Sequence, residues 1–445
     1  MMPLRTGLTY VPSVDWVHES DHPESPERLL TTWEAITRSG ILLRASIELI
    51  EAQPAGRDSI EAVHVCLPEF DAIATESPRM AAGALLALAD AKISGRVSNG
   101  FALIRPPGHH ANRITLGTRG FCVLNNIAIL VQHLRIKHRL RRIAIIDTDV
   151  HHGDGTQSIF WNDPDLLFIS IHQDGRTLYP GTGFQEETGG PAARSTKINL
   201  PLLPGTGDDE VLRLVNEIVV PAVESFKPEL VLNSAGQDGH FSDPLAGLCL
   251  TAGGYAEITR RIKPDLVVLE GGYSCDGGLP YAHLGILSAL CSIETDTLVE
   301  PGLEGLHGSG NPKIQARIEQ LIRFFAASPP ISRPDPAPGM HSDSESRSVI
   351  LYDQPNLYDH RIERYNSCQN CSGKLTIHSQ ATLLSRREFF SRIHVIPFDG
   401  CPDCRDAAYR DAENEPVRDR VRIDRVIVQD MRTGVVDTVR AIPTE

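Results

Sequence analysis

Short apolar runs recur along the first two thirds of the chain. Each is followed by a polar motif and then by a stretch with helical spacing. Phe101–Ile104, Ile143–Ile146, Leu166–Ile171, Leu230–Leu232 and Leu266–Leu269 are such runs. Runs that are continuous rather than alternating suit strands buried on both faces. Apolar residues at helical spacing from Leu29 onward, and over Met80–Ala91, Phe121–Leu134, Val211–Phe226 and Tyr255–Ile262, predict the intervening helices. Strand, polar motif, helix, repeated in that order, predicts an α/β fold with a central parallel sheet flanked by helices. In such a sheet the carboxyl ends of the strands line one edge, so motifs distant in sequence meet there.

The pattern changes near Ala326. Ala327–Gly339 is proline-rich and His341–Arg347 is serine-rich, as expected of an extended linker. Beyond it, Val421–Val428 and Val435–Ile442 flank Met431-Arg-Thr-Gly434 as a β-hairpin would. The predicted organisation is a first domain over 1–326, a linker over 327–347 and a small β-rich domain over 348–445.

With 445 residues, 41% hydrophobic and 22% charged, the chain is long enough for two domains and ordinary for a globular protein. A net charge of -14 disfavours non-specific nucleic-acid binding and favours encounters with cationic partners. No apolar run approaches the ~18 residues of a membrane span. The segment Met1–Gly7 lacks the apolar core of an export signal, so a reducing, cytoplasmic setting is expected. The charge and the lengths leave the oligomeric state open, a homo-oligomer included.

Candidate chemistry is densest in Ile143–Gly155, where a buried-type strand delivers Asp147, Asp149, His151, His152 and Asp154. Asp and His two positions apart fall on one side of an extended chain. Carboxylates with imidazole form a zinc-type ligand set, and a hydrolytic site needs three protein ligands and one open position. Asp149, His151 and Asp238, the last at the end of Leu230–Asp238, supply three. Attack on an amide also needs groups that move protons, and His109-His110 after Arg105-Pro-Pro-Gly is a pair suited to that work. Each wants an acceptor on its far nitrogen, for which Asp147 and Asp154 are available. Tyr273, on Glu270-Gly-Gly-Tyr, can donate to a developing oxyanion. His152 fits a supporting place better than a ligand's. His64 reads as a satisfied interior histidine, and His22-Pro-Glu reads as a turn.

Taken in order, Arg105–His110, Gly120-Phe121-Cys122, Asp147–Thr156, Tyr179–Gly183, Ser234–Asp238 with Asp243–Leu245, and Glu270–Tyr273 resemble the zinc-dependent histone deacetylase family, in its class II-like and prokaryotic branch. His22–Arg28 resembles that family's N-terminal loop. The resemblance implies an arginase–deacetylase fold, zinc on Asp149, His151 and Asp238, His109 and His110 as the proton-handling pair, and Tyr273 as carbonyl polariser. It also implies a structural potassium ion near Asp147, Asp149, His151 and Ser170. Gly120, Phe121, Tyr179 and Leu245 match the acyl-lysine tunnel. Leu245 stands where polyamine-selective relatives carry an acid, which disfavours acetylpolyamines. Glu69–Arg79 lacks a clear counterpart of the acidic loop that holds peptide backbones in many relatives.

Outside that resemblance, Cys368-Gln-Asn-Cys371 and Cys401-Pro-Asp-Cys404 are separated by 29 residues. They read as a zinc-ribbon-like structural zinc site, with redox dithiols and no role as the other readings. The expected activity is hydrolysis of acetyl or related acyl groups on lysine side chains of a protein or peptide. Deacylation of a small acylated amine, and a catalytically retired fold that acts as a binding module, are the rivals. A two-metal arginase-like site is disfavoured because His240 stands where a second acid would be needed.

Overall fold

The apolar runs form strands of one sheet. The computed structural model describes residues 5–16, 18–19, 21–294, 299–305, 310–327, 344–354, 357–383, 388–415 and 425–441. Up to residue 269 the strands are β1 (Thr6–Val11), β2 (Ile47–Leu49), β3 (Val65–Cys66), β4 (Asn99–Ile104), β5 (Ile114–Thr115), β6 (Ile143–Asp147), β7 (Leu166–Gln173), β8 (Lys197–Leu202), β9 (Leu230–Ala235) and β10 (Leu266–Leu269). Eight of them pair in the order β2-β1-β4-β10-β9-β6-β7-β8, every pair parallel, while β3 and β5 make a small separate ladder. This is the α/β architecture that the sequence predicts.

Alternate residues of each central strand feed opposite faces, because side chains alternate across a sheet. Ala144 and Ile146 of β6 pack with Leu167 and Ile169 of β7 on one face. Ile143 and Ile145 pack with Leu166 and Phe168 on the other. Both faces are dry, so the runs have to be apolar throughout. From β6 the chain moves outward through β7 and β8, then returns to place β9 on the opposite side of β6. The β6–β9 pair is therefore a topological switch point, where open α/β sheets leave a crevice at the carboxyl ends.

The predicted helices adjust to local chemistry. The run from Phe121 becomes helical only at Asn126, because Asn125 caps that turn by accepting from Ala128 N, and Phe121 itself lies at φ 67°. The run Val211–Phe226 is not one regular helix. A π-helical turn, Val215–Val219, separates Asp208–Leu214 from Val220–Phe226. Pro221 explains it: proline has no N–H to donate, and its ring would strike the carbonyl of Glu217 in a regular turn. No described helix is long and apolar enough to cross a membrane.

A second sheet follows, with strands β11 (Ser344–Gln354), β12 (Leu357–Asn366), β13 (Leu375–Leu383), β14 (Glu388–Ile396), β15 (Arg425–Asp430) and β16 (Val435–Ala441) paired in that order. β15 and β16 form the expected hairpin, whose outer residues 421–424 and 442 lie outside the described residues. Strand β11 begins within the segment read as linker, and residues 328–343 lie outside the described residues. Serine composition suggested a tether there, but Ser344–Leu351 finds a full antiparallel partner in β12, which supplies order that composition does not reveal.

The small β3–β5 ladder and the second sheet share apolar contacts. Val65, Leu67 and Ile114 of the first unit cluster with Ile377, Ile393, Val395, Ile427 and Met431 of the second. Polar ties bracket this cluster: Arg113 donates to Gln429 Oε1 at 2.9 Å, Gln429 to Glu61 O at 2.9 Å, and Arg361 to Ile114 O at 2.8 Å. Ile393 is fully buried at this junction. Replacing it with alanine is expected to cost about 2–5 kcal/mol. Urea unfolding should show that loss in a single transition involving both sheets. Loss confined to an early, partial transition would mean that the units unfold independently.

Candidate active site

The carboxyl ends of β4, β6, β9 and β10 converge as the strand order requires. Strand β6 stops at Asp147, and the residues after it do not continue extended, contrary to the simple two-residue periodicity expected. Instead two side chains cap successive backbone amides: Asp147 Oδ1 accepts from Asp149 N at 3.1 Å, and Asp149 Oδ1 accepts from His151 N at 2.8 Å. These turns point Asp149 and His151 toward Asp238, which follows β9. His151 Nδ1 lies 3.2 Å from Asp149 Oδ1 and 3.0 Å from Asp238 Oδ2. The three residues offer ligand atoms within 4.8 Å of one another. Both carboxylates are also braced by backbone amides, Asp149 by Gly271 N at 2.7 Å and Asp238 by Val150 N at 2.9 Å. Gly236 and Gly271 leave the space: a Cβ at either would fall within 2.2 Å of a carboxylate oxygen of Asp149 or Asp238.

Electrostatically this is a pocket that calls for a cation. Burial alone would strip the proton from His151, but the Asp238 and Asp149 carboxylates outweigh it and push the imidazole up to about 10. Asp238 is pushed upward by burial and by Asp149. Two carboxylates and an imidazole this close, with positive charge in demand, fit a divalent ion of the zinc type.

The two histidines after β4 are held differently. His109 Nδ1 meets Asp147 Oδ2 at 3.1 Å, and its Nε2 lies 3.7 Å from Asp149 Oδ2. Burial opposes its charged form, but Asp149 and Asp147 prevail and raise it well above the ordinary value. His110 Nδ1 meets Asp154 Oδ1 at 2.9 Å, yet burial and the neighbouring charge of His109 push it down to about 3. The Asp154 carboxylate already has a cation, Arg119, at 2.8 Å. The pair is thus split, with the charged form favoured at His109 and disfavoured at His110.

Tyr273 closes the site from β10. Its amide donates to Asp243 Oδ2 at 2.7 Å, its ring lies edge-on to Phe121 at 5.7 Å, and Arg28 sits 4.8 Å over its face. Burial keeps the phenol protonated by raising it well above its ordinary value, against the opposing charge of Arg28. Gly120 and Tyr179 border His110, while Phe121 lies against Tyr273 and His22. A Cβ on Gly120 would come within 2.4 Å of the His110 ring, and its φ of 52° is left-handed, so glycine is required twice over. The Tyr179 ring lies 5.0 Å from that of His110 and 6.2 Å from that of His151. Leu245 is half-buried, and its amide donates at 3.0 Å to Asp243, the same carboxylate that accepts from Tyr273 N. Ser170 is paired in register with Asp147, and its hydroxyl lies 2.8 Å from His172 Nδ1. His152 faces away and meets Thr182 Oγ1 at 2.8 Å. His64 is a satisfied core residue, bonded to Asn112 O at 2.9 Å and accepting from Asn125 N at 2.8 Å.

Several residues that organise the site had no role in the sequence reading. Glu270 Oε2 accepts from Gly108 N at 2.7 Å and His109 N at 3.1 Å, while its Oε1 accepts from Ser234 at 2.8 Å. It therefore fixes the turn that presents His109. Arg28 donates to Gly272 O at 2.6 Å and also to Glu270 O, gripping the backbone just before Tyr273. Glu24 neutralises Arg28 at 3.0 Å and receives two bonds from Arg105 at 2.8 Å. The usable signal was a charged residue directly abutting an apolar strand, as at Arg105 and Glu270. Glu24 and Arg28 lie in the His22–Arg28 motif without a role having been assigned to them, and Arg119 carried no signal.

The four cysteines of the second unit come together as well. Cys368 and Cys371 lie between β12 and β13, and Cys401 and Cys404 lie at the start of the helix Pro402–Glu413, all within ligand distance of one another. Amides of Asn370 and Gly373 donate to the Cys368 and Cys371 sulfurs at 3.4 and 3.3 Å, the kind of bond that stabilises thiolates. Hydrogen bonding from Cys404 holds Cys371 down to about 5. A further group, Asp90, His133 and His138, already has its carboxylate paired with Lys137 at 2.6 Å.

Residues 69–284 match the family profile described as "Histone deacetylase domain". The chain is 42% identical over 310 residues to a "Probable deacetylase" of Archaeoglobus fulgidus, covering 63% of this chain and 84% of that protein. It is 33% identical over 316 residues to "Histone deacetylase-like amidohydrolase" of Pseudomonas aeruginosa, covering 64% of this chain and 82% of that protein. Among solved structures, "Crystal Structure of HDA15 HD domain" superposes with a TM-score of 0.64 at 26% identity, covering 72% of this chain and 96% of that one.

The Glu24 network has a definite pH signature. Burial works against the carboxylate, but His18 at 3.6 Å, hydrogen bonds from Arg105 and the charge of Arg28 win, holding Glu24 down from 4.5 to about 2. A depressed carboxyl contributes stability above its unfolded value and loses it as pH falls through the folded one. Glu24→Gln is expected to cost about 3–5 kcal/mol at neutral pH, because two buried arginines lose their counter-charge. In urea titrations the gap between variant and wild type should close as pH falls from 4.5 toward 2. A gap that does not change with pH would rule out the ionic account.

Proposed function

The chain belongs to the histone deacetylase family, whose members hydrolyse amides, and we propose that it removes acetyl or related acyl groups from lysine side chains. The observation that carries this reading is the meeting of the Asp149–His151–Asp238 donor set with two separately oriented histidines and a buried tyrosine. Asp149, His151 and Asp238 would hold a zinc ion, which when bound would act as a Lewis acid toward the acyl carbonyl and toward water.

The protein groups divide the remaining work. His110 is neutral, and its Nδ1 is oriented by Asp154, which leaves Nε2 to take a proton from water and pass it to the departing amine. His109, oriented through Nδ1 by Asp147 at 3.1 Å, steadies negative charge as it develops. Tyr273 donates a hydrogen bond from its phenol to the carbonyl oxygen and keeps its proton. Phe121 and Tyr179 flank the lysine methylenes as flat apolar walls, with Gly120 making room and Leu245 setting an uncharged rim. A potassium ion near Asp147, Asp149, His151 and Ser170 would offset the remaining carboxylate charge.

The Cys368, Cys371, Cys401 and Cys404 cluster supports a second, structural zinc in the β-rich unit. Four thiolates close a tetrahedral site, and they suit a reducing compartment such as the cytoplasm. Tyr273→Phe is expected to lower kcat on an acetyl-lysine peptide about 10²–10³-fold while the protein stays folded. Full activity in that variant would exclude the assignment. Elemental analysis should find about two zinc ions per chain, dropping by one in Asp238→Ala and by the other in Cys404→Ser. Unchanged zinc in either variant would remove the corresponding site.

A further inference from the structure

Strand β11, an edge of the second sheet, runs along the surface that carries the active-site loops. Glu345 pairs with Arg194 at 3.1 Å. Arg347 donates to Ser158 Oγ at 3.0 Å and lies 4.6 Å over the Trp161 ring. At the far end of the strand, Tyr352 donates its hydroxyl to Pro180 O at 2.9 Å and meets the Tyr179 ring edge-on at 6.3 Å. Since Tyr179 packs against His110 and His151, a single aromatic ring separates Tyr352 from the two imidazoles of the site.

The Tyr179–Gly183 loop needs such a tie. Gly181 and Gly183 hold φ values of 82° and 83°, so the loop contains two residues of high backbone freedom. Its distal half is fastened inward, Thr182 to His152 at 2.8 Å and Gly183 O to His172 at 2.9 Å. Its proximal half, which presents Tyr179, is fastened outward by Tyr352 at Pro180. Tyr352 remains 43% exposed on its strand, so it is not placed there as a core residue.

We propose that Tyr352 is a positioning residue for substrate affinity: through it the second sheet holds the Tyr179 wall against the methylene chain of the acyl-lysine. The C-terminal unit is then a component of the substrate site as well as a folded appendage. The proposal rests on the reading of Tyr179 as a wall of the acyl-lysine tunnel.

The test uses the full-length, zinc-loaded enzyme and an acetyl-lysine peptide. Tyr352→Ala should raise KM about tenfold and leave kcat within about twofold, because it removes one hydrogen bond and one ring contact that act on binding and not on chemistry. Tyr352→Phe, which loses only the hydroxyl, should show a smaller rise in KM, and both variants should melt close to wild type. Tyr179→Ala serves as the reference. If it raises KM and Tyr352→Ala does not, the role of Tyr352 is refuted while the tunnel reading stands. If Tyr179→Ala keeps the wild-type KM, the tunnel reading falls and this inference falls with it. A loss of kcat together with a lowered melting point in Tyr352→Ala would show a merely structural contact and would also overturn the proposal.

Discussion

Buried negative charge is the constraint around which this molecule is arranged. Glu24, Asp147, Asp149, Asp238, Asp243 and Glu270 are all buried near one edge of the parallel sheet. Carboxylates removed from water need partners, and most of these have them within the chain: Arg28 and Arg105 for Glu24, His109 for Asp147, and backbone amides for Glu270 and Asp243. Asp149 and Asp238 share His151, whose imidazole their charge pushes upward, and each accepts one backbone amide, from Gly271 and Val150. Two carboxylates beside one imidazole leave negative charge to be offset, and the proposed zinc ion would offset it.

That constraint explains what the sequence could and could not disclose. The central strands were legible because a strand with two dry faces has to be apolar throughout, and Ile143–Ile146 meets that demand. Asp149, His151 and Asp238 were legible because ionisable residues at the end of such a strand have few other uses. The long-range partners of the arginines were not, since Arg105 meets Glu24 across 81 residues and Arg28 meets Gly272 across 244. Nothing local marks such pairs. The widened turn before Pro221 escaped because apolar spacing persists through it. Strand β11 escaped because serine composition reports on the isolated segment and not on the partner strand that orders it.

The second sheet changes how the catalytic unit should be understood. The small β3–β5 ladder gains its burial from Ile377, Ile393 and Met431, so its apolar face is completed by residues from far down the chain. The cysteine cluster adds a further tie, because Ser372, next to Cys371, accepts from Asn162 at 2.8 Å. Asn162 also accepts from Ala192 N at 2.8 Å, which links the cysteine knuckle to the surface segment that pairs with β11.

The long reach of Arg28 carries a consequence for how the protein is made. Its guanidinium cannot find Gly272 O until β10 has been synthesised and inserted between β4 and β9. Contacts of such large sequence separation carry a high loop-closure cost and slow the search for the native state. A nascent chain halted between residue 105 and that strand can pair Arg105 with Glu24 but holds Arg28 without the Glu270 and Gly272 carbonyls that it grips. The catalytic edge is therefore expected to be the last part of the first unit to become ordered, and premature termination should yield a species with an unsealed sheet rather than a partly active enzyme.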